Sequence, residues 1–233
     1  MNEERRRRLL QLGSAAAFLA IVAVAVLIVV SANETDGGDT QLEGVAEVKR
    51  ELRGISQRGL VLGDPAAKVT LYEYGDLQCP VCKGFSEGIV PETIDSTVRS
   101  GEAKIEFRNY TIISQESIPA AAAAIAAGRQ GRGWSFVELF YRNQGREASG
   151  YVTGEFLTGI ARGAGVADIS RWDRDRKSAA VLAQVKRETQ EAQSLGMTGT
   201  PSFAVSGPAT QGKEVLGTPG DAGTLEDAIE AAG

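Results

Sequence analysis

Val69-Thr70-Leu71-Tyr72-Glu73-Tyr74 runs into Gly75-Asp76, and three positions later Cys79-Pro80-Val81-Cys82 opens a stretch whose apolar residues recur at helical spacing. A run of β-branched and aromatic residues that stops at Gly-Asp reads as a strand. A strand therefore feeds a helix almost directly, and both cysteines of this 233-residue chain stand at the junction. Two cysteines three residues apart cannot staple distant segments, so no disulfide framework supports the fold. It must rest on apolar packing. With 42% hydrophobic residues the chain has material for one domain of about 200 residues beyond its N-terminus.

The pattern continues in alternation. Phe85, Ile89, Ile94 and Val98 predict a helix kinked near its middle by Pro91. Residues 104–110 read as a second strand. From about 119 to 195 the spacing is helical throughout: residues 120–127, then Phe136, Val137, Phe140 and Tyr141, then Phe156, Leu157 and Ile160, then residues 169–192, with Gly196 as a terminator. Strand signals return at 202–205 and 213–216. Thr224-x-x-Asp227 then starts a closing helix with Leu225, Ala228 and Ile229 inward. The predicted order is strand, helix, strand, helical block, two strands, helix.

The N-terminus has a different character. Arg5, Arg6, Arg7 and Arg8 precede residues 9–30, which carry no charge and only Gln11 and Ser14 as polar side chains. About 20 apolar residues span a bilayer, and a basic flank stays on the cytoplasmic side. Residues 1–8 are therefore expected in the cytoplasm, 9–30 as a single membrane anchor, and the rest outside. A cleaved signal peptide is the competing reading, since Val30-Ser31-Ala32 is an acceptable cleavage site, although the apolar run exceeds the usual signal core of ~7–15 residues. Residues 31–59 read as a linker and short helix: a polar, glycine-containing tether to 41, then Leu42, Val45, Val48, Leu52 and Ile55 at helical spacing, interrupted by Gly54. That helix is expected to lie against its own domain rather than to form a dimer seam.

Composition excludes several chemistries. The chain has no histidine, which removes Ser-His-Asp and Cys-His catalysis, ordinary zinc sites and Cys-x-x-Cys-His haem attachment. No metal and no bound cofactor are expected. Of the formal charge of −5, residues 1–8 contribute +2 (four Arg, two Glu), which leaves −7 on the remainder. Such a body does not attract nucleic acid.

Cysteines at i and i+3 across a helix start lie within one turn of each other, close enough to form and break a disulfide with little backbone movement. Pro80 suits the first helical position, which makes Cys79 the N-cap. Its sulfur then faces unpaired N–H groups and the positive end of the helix dipole, both of which favour thiolate. Cys79 is the expected nucleophile and Cys82 the resolving thiol. Three other readings compete. A purely structural bridge closing four residues is worth only roughly 2 kcal/mol on the chain-entropy model. A metal half-site lacks histidine, and two unpaired core thiols fit poorly with a proline between them at a strand-to-helix junction.

The sequence resembles the DsbA-like branch of the thioredoxin superfamily, particularly membrane-anchored members from bacteria without a conventional outer membrane. The matching residues are Gly63-Asp64-Pro65, residues 69–76, Cys79-Pro80-Val81-Cys82 and Gly199-Thr200-Pro201-Ser202-Phe203. The resemblance implies an α/β thioredoxin-like domain over residues 60–233, formed by about 60–118 and 196–233 and interrupted by a helical insertion at about 119–195. It also implies a cis Thr200-Pro201 peptide beside the cysteines, with the Thr200 backbone pairing to an extended substrate. Without it, a proline at a strand start is the simpler reading. Glu73 matches the family's buried acid; taken alone, it could equally be a solvated acid at a strand end. Val81 departs from the histidine of the strongly oxidising members, so the direction of the reaction is open.

The function expected from these residues is thiol–disulfide exchange, with the Cys79–Cys82 disulfide donated to exported polypeptides that carry free cysteines. Reoxidation would come from a membrane partner resembling DsbB or vitamin K epoxide reductase. The alternatives are an extracytoplasmic reductase or isomerase, and a tethered thioredoxin-fold chaperone or peptide-binding module.

Overall fold

The computed structural model describes residues 42–233. The cytoplasmic tail, membrane anchor and tether expected at 1–8, 9–30 and 31–41 lie outside the described residues. Helix α1 (Val45–Glu51) precedes two short strands, β1 (Gln57–Arg58) and β2 (Val61–Leu62), and the strand expected at 69–74 follows as β3 (Val69–Gly75). Next come α2 (Pro80–Glu87), α3 (Ile89–Thr93), a π-helical turn (Ile94–Val98) and β4 (Ala103–Asn109). Five helices succeed one another: α4 (Ser117–Gly128), α5 (Gly133–Arg142), α6 (Gly154–Gly163), α7 (Ile169–Arg176) and α8 (Ala179–Ser194). The chain closes with β5 (Ser202–Ser206), β6 (Glu214–Gly217) and α9 (Ala222–Ala232).

The strands form one sheet in the order β1-β2-β4-β3-β5-β6. β3 and β4 are parallel, as the helical crossover between them requires, whereas β5 runs antiparallel to β3 and β6 to β5. β3 is the central strand and six of its seven residues are buried, which explains why its sequence shows no clean apolar-polar alternation. β4 does alternate: Ala103, Ile105, Phe107 and Asn109 are buried, and Lys104, Glu106 and Arg108 are half-buried on the other face. There Arg108 pairs with Glu106 at 3.2 Å and with Glu191 of α8 at 3.7 Å.

The core lies between the sheet and the helical block, with Phe107, Phe203, Trp134, Phe136, Phe140, Tyr141 and Trp172 fully buried. Burial of each such ring is worth roughly 1.5–3 kcal/mol before the entropy cost of ordering it. Residues 120–127 of α4, seven alanines and Ile125, are buried on every side, because small side chains let α5, α7 and α8 approach its axis. Close approach also dictates glycine at the corner joining this block to the sheet. A Cβ on Gly133 would lie 2.2 Å from the Gly59 carbonyl oxygen.

Four expectations need correction. The helix predicted across Pro91 breaks earlier, at Gly88 (φ −129°, ψ −90°), and Pro91 falls in the first turn of α3 where its missing N–H is not needed. The closing helix starts at Ala222: Asp221, not Thr224, is the N-cap and accepts the Thr224 N–H at 2.9 Å and the Thr224 hydroxyl at 2.8 Å. β1 and β2, two residues each, extend the sheet beyond what was expected. The helix read at 42–55 is shorter, and it packs on its own domain through buried Val48 and Leu52 and an ion pair between Glu51 and Arg142 of α5.

Candidate active site

The turn from β3 into α2 is built by its own polar groups. Asp76, buried to 1% exposure, accepts the Gln78 N–H at 2.9 Å on one carboxylate oxygen. The other oxygen accepts the N–H groups of Ile112 at 2.8 Å and Ile113 at 2.9 Å, which fastens the segment after β4 to the same turn. The Cys79 N–H donates to the Asp76 carbonyl at 2.9 Å. Cys79 is the N-cap of α2, with Pro80 at the first helical position, and its sulfur accepts the Cys82 N–H at 3.4 Å.

The two thiols are free and their surroundings differ. Cys79 retains 4% exposure and Cys82 none. The Cys82 thiol is the largest influence lowering Cys79, followed by the Thr200 side chain and the N–H groups of Cys82 and Val81; against the opposing effect of burial they bring it from 9.0 to about 6. Cys82 is pushed well above 9.0, chiefly by burial, then by its Cys79 neighbour and by Glu73. Val81 is 53% exposed, so the side chain between the cysteines meets solvent or a partner and brings no charge.

Thr200-Pro201 is a cis peptide, and the Cys79 S–H donates to the Thr200 carbonyl at 3.4 Å. The two segments, 121 residues apart in sequence, thus meet at the sulfur. Glu73 is 2% exposed and stands in register between Phe107 of β4 and Phe203 of β5. Its Oε1 has no hydrogen-bond partner among the described residues. Burial first, and the Glu138 carboxylate second, raise it from 4.5 to about 8. The solvated alternative for Glu73 is therefore excluded.

Several residues at this site carried no assignment from sequence. Glu138 of α5 is buried, accepts the Ser86 hydroxyl of α2 at 2.8 Å, and is raised by burial from 4.5 to about 7 despite that bond. Gln144 donates to the Leu77 carbonyl at 2.7 Å and the Cys79 carbonyl at 3.1 Å. Asp76 had a local signal, since Asp two residues before Gln78 is the pattern of an Asx turn. Glu138 and Gln144 had none, being 52 and 65 residues from their partners.

A strand-turn-helix dithiol with one acidic and one suppressed thiol, beside a cis proline, defines a protein disulfide oxidoreductase. Residues 56–218 match the Thioredoxin family model. A probable disulfide bond formation protein D from Bacillus cereus is 28% identical over 149 residues, covering 63% of this chain and 69% of that protein. Among solved structures, oxidised BdbD from Bacillus subtilis superposes with a TM-score of 0.65 at 23% identity, covering 76% of this chain and 96% of that one. A thioredoxin-like oxidoreductase from Silicibacter pomeroyi DSS-3 superposes with a TM-score of 0.59 at 29% identity, over 74% and 90% of the two chains. The chain belongs to the thioredoxin family, as a DsbA-like thiol–disulfide oxidoreductase.

Proposed function

We propose that this protein introduces disulfides into exported polypeptides, working outside the cell membrane to which residues 9–30 tether it. The observation that carries the reading is the opposed acidity of two thiols on one helical turn, Cys79 brought down to about 6 and Cys82 pushed up. In the oxidised protein a substrate thiolate attacks Cys79, the Cys79–Cys82 bond breaks, and Cys82 leaves with the electron pair. Cys82 then takes a proton, for which Glu73, buried and raised to about 8, is the proposed source. A second substrate thiolate attacks the substrate sulfur of the mixed disulfide and expels Cys79 as a thiolate. Two substrate thiols are oxidised to a disulfide, and the protein ends as the dithiol.

Expulsion of Cys79 is favourable because the leaving thiolate is stabilised, and the same stabilisation favours the reduced protein and hence an oxidising potential. The backbone of Thr200 would pair with the extended substrate beside Pro201. A membrane redox partner resembling DsbB or vitamin K epoxide reductase would remove the two electrons. The arginine cluster at residues 5–8 and the uncharged run after it support this orientation. A domain released in soluble form starting near Asn33 would instead mean a cleaved signal.

The second reading, a reductase or isomerase, has one observation in its favour: Val81 supplies no charge to the thiolate. Trapping thiols with an alkylating agent in living cells separates the two. A pair found mostly disulfide-bonded is the expected result; one found mostly reduced would favour the reductase.

A further inference from the structure

The turn that carries Cys79 is held from outside its own half of the fold. Residues 76–79 link β3 to α2, and the end of α5 with the loop after it reaches all four. The Tyr141 hydroxyl donates to the Asp76 carbonyl at 3.3 Å, and Gln144 Nε2 donates to the carbonyls of Leu77 at 2.7 Å and Cys79 at 3.1 Å. The fully buried Gln78 side chain accepts the Ala148 N–H at 2.8 Å, and Ala148 is the one non-glycine residue at positive φ, 52°, among the described residues. A left-handed alanine is disfavoured on its own, so the contact to Gln78 is one the loop is shaped to make.

We propose that Gln144 is a positioning residue for the Cys79 thiolate, through which the helical block sets the reactivity of the thiol. The proposal rests on Cys79 being the nucleophile. Carbonyl oxygens carry partial negative charge, and those of Leu77 and Cys79 belong to the same turn as the sulfur. The Gln144 amide offsets that charge and fixes the direction in which both carbonyls point. The Cys79 carbonyl also accepts the Lys83 N–H at 3.2 Å, the bond that starts α2. While it is held there, the Cys82 N–H stays aimed at the sulfur. That last contact spans 3.4 Å, so a small rotation of the turn would forfeit it. The ionisable groups around the turn are Cys82 on α2, Glu73 on β3, Tyr141 on α5 and Asp76 within it. Gln144 is neutral and acts only as a donor.

The test uses the full-length protein with Gln144→Met, which keeps the length of the side chain and removes its donors, and Gln144→Glu, which puts a carboxylate in their place. Thiolate absorbance against pH gives the Cys79 pKa, and equilibration with glutathione gives the potential. Gln144→Met should raise the Cys79 pKa by about one unit, which at pH 8 moves the glutathione equilibrium about tenfold toward the disulfide, or ~30 mV more negative. Gln144→Glu should do more. Gln130→Met removes a comparable bond inside the helical block, where Gln130 caps Asp168, and should leave both readings unchanged. Wild-type pKa and potential in Gln144→Met, or equal shifts in Gln130→Met, would overturn the proposal. Cys79→Ser separates the two levels: activity surviving that change would remove the nucleophile itself, whereas its loss beside an unshifted Gln144→Met would remove only the role of Gln144.

Discussion

Cys79 and Cys82 are the same residue type one helical turn apart, and the fold treats them oppositely. The first sits at a helix N-terminus, where the Cys82 thiol and then the N–H groups of Cys82 and Val81 help bring it down to about 6; the second, one turn deeper, is pushed up by burial, then by Cys79 and Glu73. Three residues along a helix move a group by only ~4.5 Å, so the difference comes from where the helix begins relative to the buried core, with Glu73 a lesser influence on Cys82. Pro80 sets that beginning. The lesson is that the motif supplies two thiols, and the packing below it decides which one attacks.

The strongest way to break this contrast is to remove one sulfur at a time. Cys79→Ser should abolish exchange altogether, whereas Cys82→Ser should accumulate mixed disulfides through Cys79, visible on non-reducing gels. Equal accumulation in both variants would reverse the two roles.

Glu73 provides the next largest effect, read in stability. Its folded-state value of about 8 lies above 4.5, so the folded protein holds a proton that the unfolded chain releases between those limits. Stability from this group therefore falls as pH rises from about 4.5 to 8, and the penalty is complete above that. Glu73→Gln should relieve it, with a stabilisation on the order of a few kcal/mol at pH 8 and little at pH 4, measured by denaturant unfolding. A pH-independent effect would show that Glu73 does not carry the raised value.

Much of the contrast was legible in the sequence because it is local. The strand at 69–74, the helix start at Pro80 and the N-cap at Cys79 all depend on residues within a few positions of each other. The order of the later elements was legible from periodicity. What escaped were features with no local signature. β1 and β2 are too short to alternate. Glu138 and Gln144 act on the catalytic helix and turn across the chain from α5 and the loop after it. Proline is the louder signal, which points to a kink at Pro91, yet a proline in a first turn breaks nothing and the helix breaks at Gly88. Thr224-x-x-Asp227 likewise resembles a capping pattern, yet the helix starts one turn earlier, at the Asp221 cap.

Two smaller changes sharpen the picture. Val81→His places a cation beside the Cys79 thiolate and has no charge to meet in the disulfide form. It should lower the Cys79 pKa and raise the potential by about 30 mV for each 1.4 kcal/mol of added preference for the reduced state. An unchanged or more negative potential would mean that the dipeptide does not control the thiolate. Ser86→Ala removes the hydroxyl that Glu138 accepts and leaves a buried carboxylate oxygen without its donor. It should cost about 1–3 kcal/mol in unfolding free energy and raise Glu138 further; a neutral effect would mean that water replaces the hydroxyl.

The central claim is that one turn of α2 holds an acidic thiol and a suppressed one, and a thiolate titration of the reduced full-length protein tests it most directly. The expected result is a single thiolate appearing with a midpoint near 6, absent from Cys79→Ser, while Cys82 stays protonated past 9. Two thiols titrating together near 9, or a low-pH thiolate that survives Cys79→Ser, would contradict it.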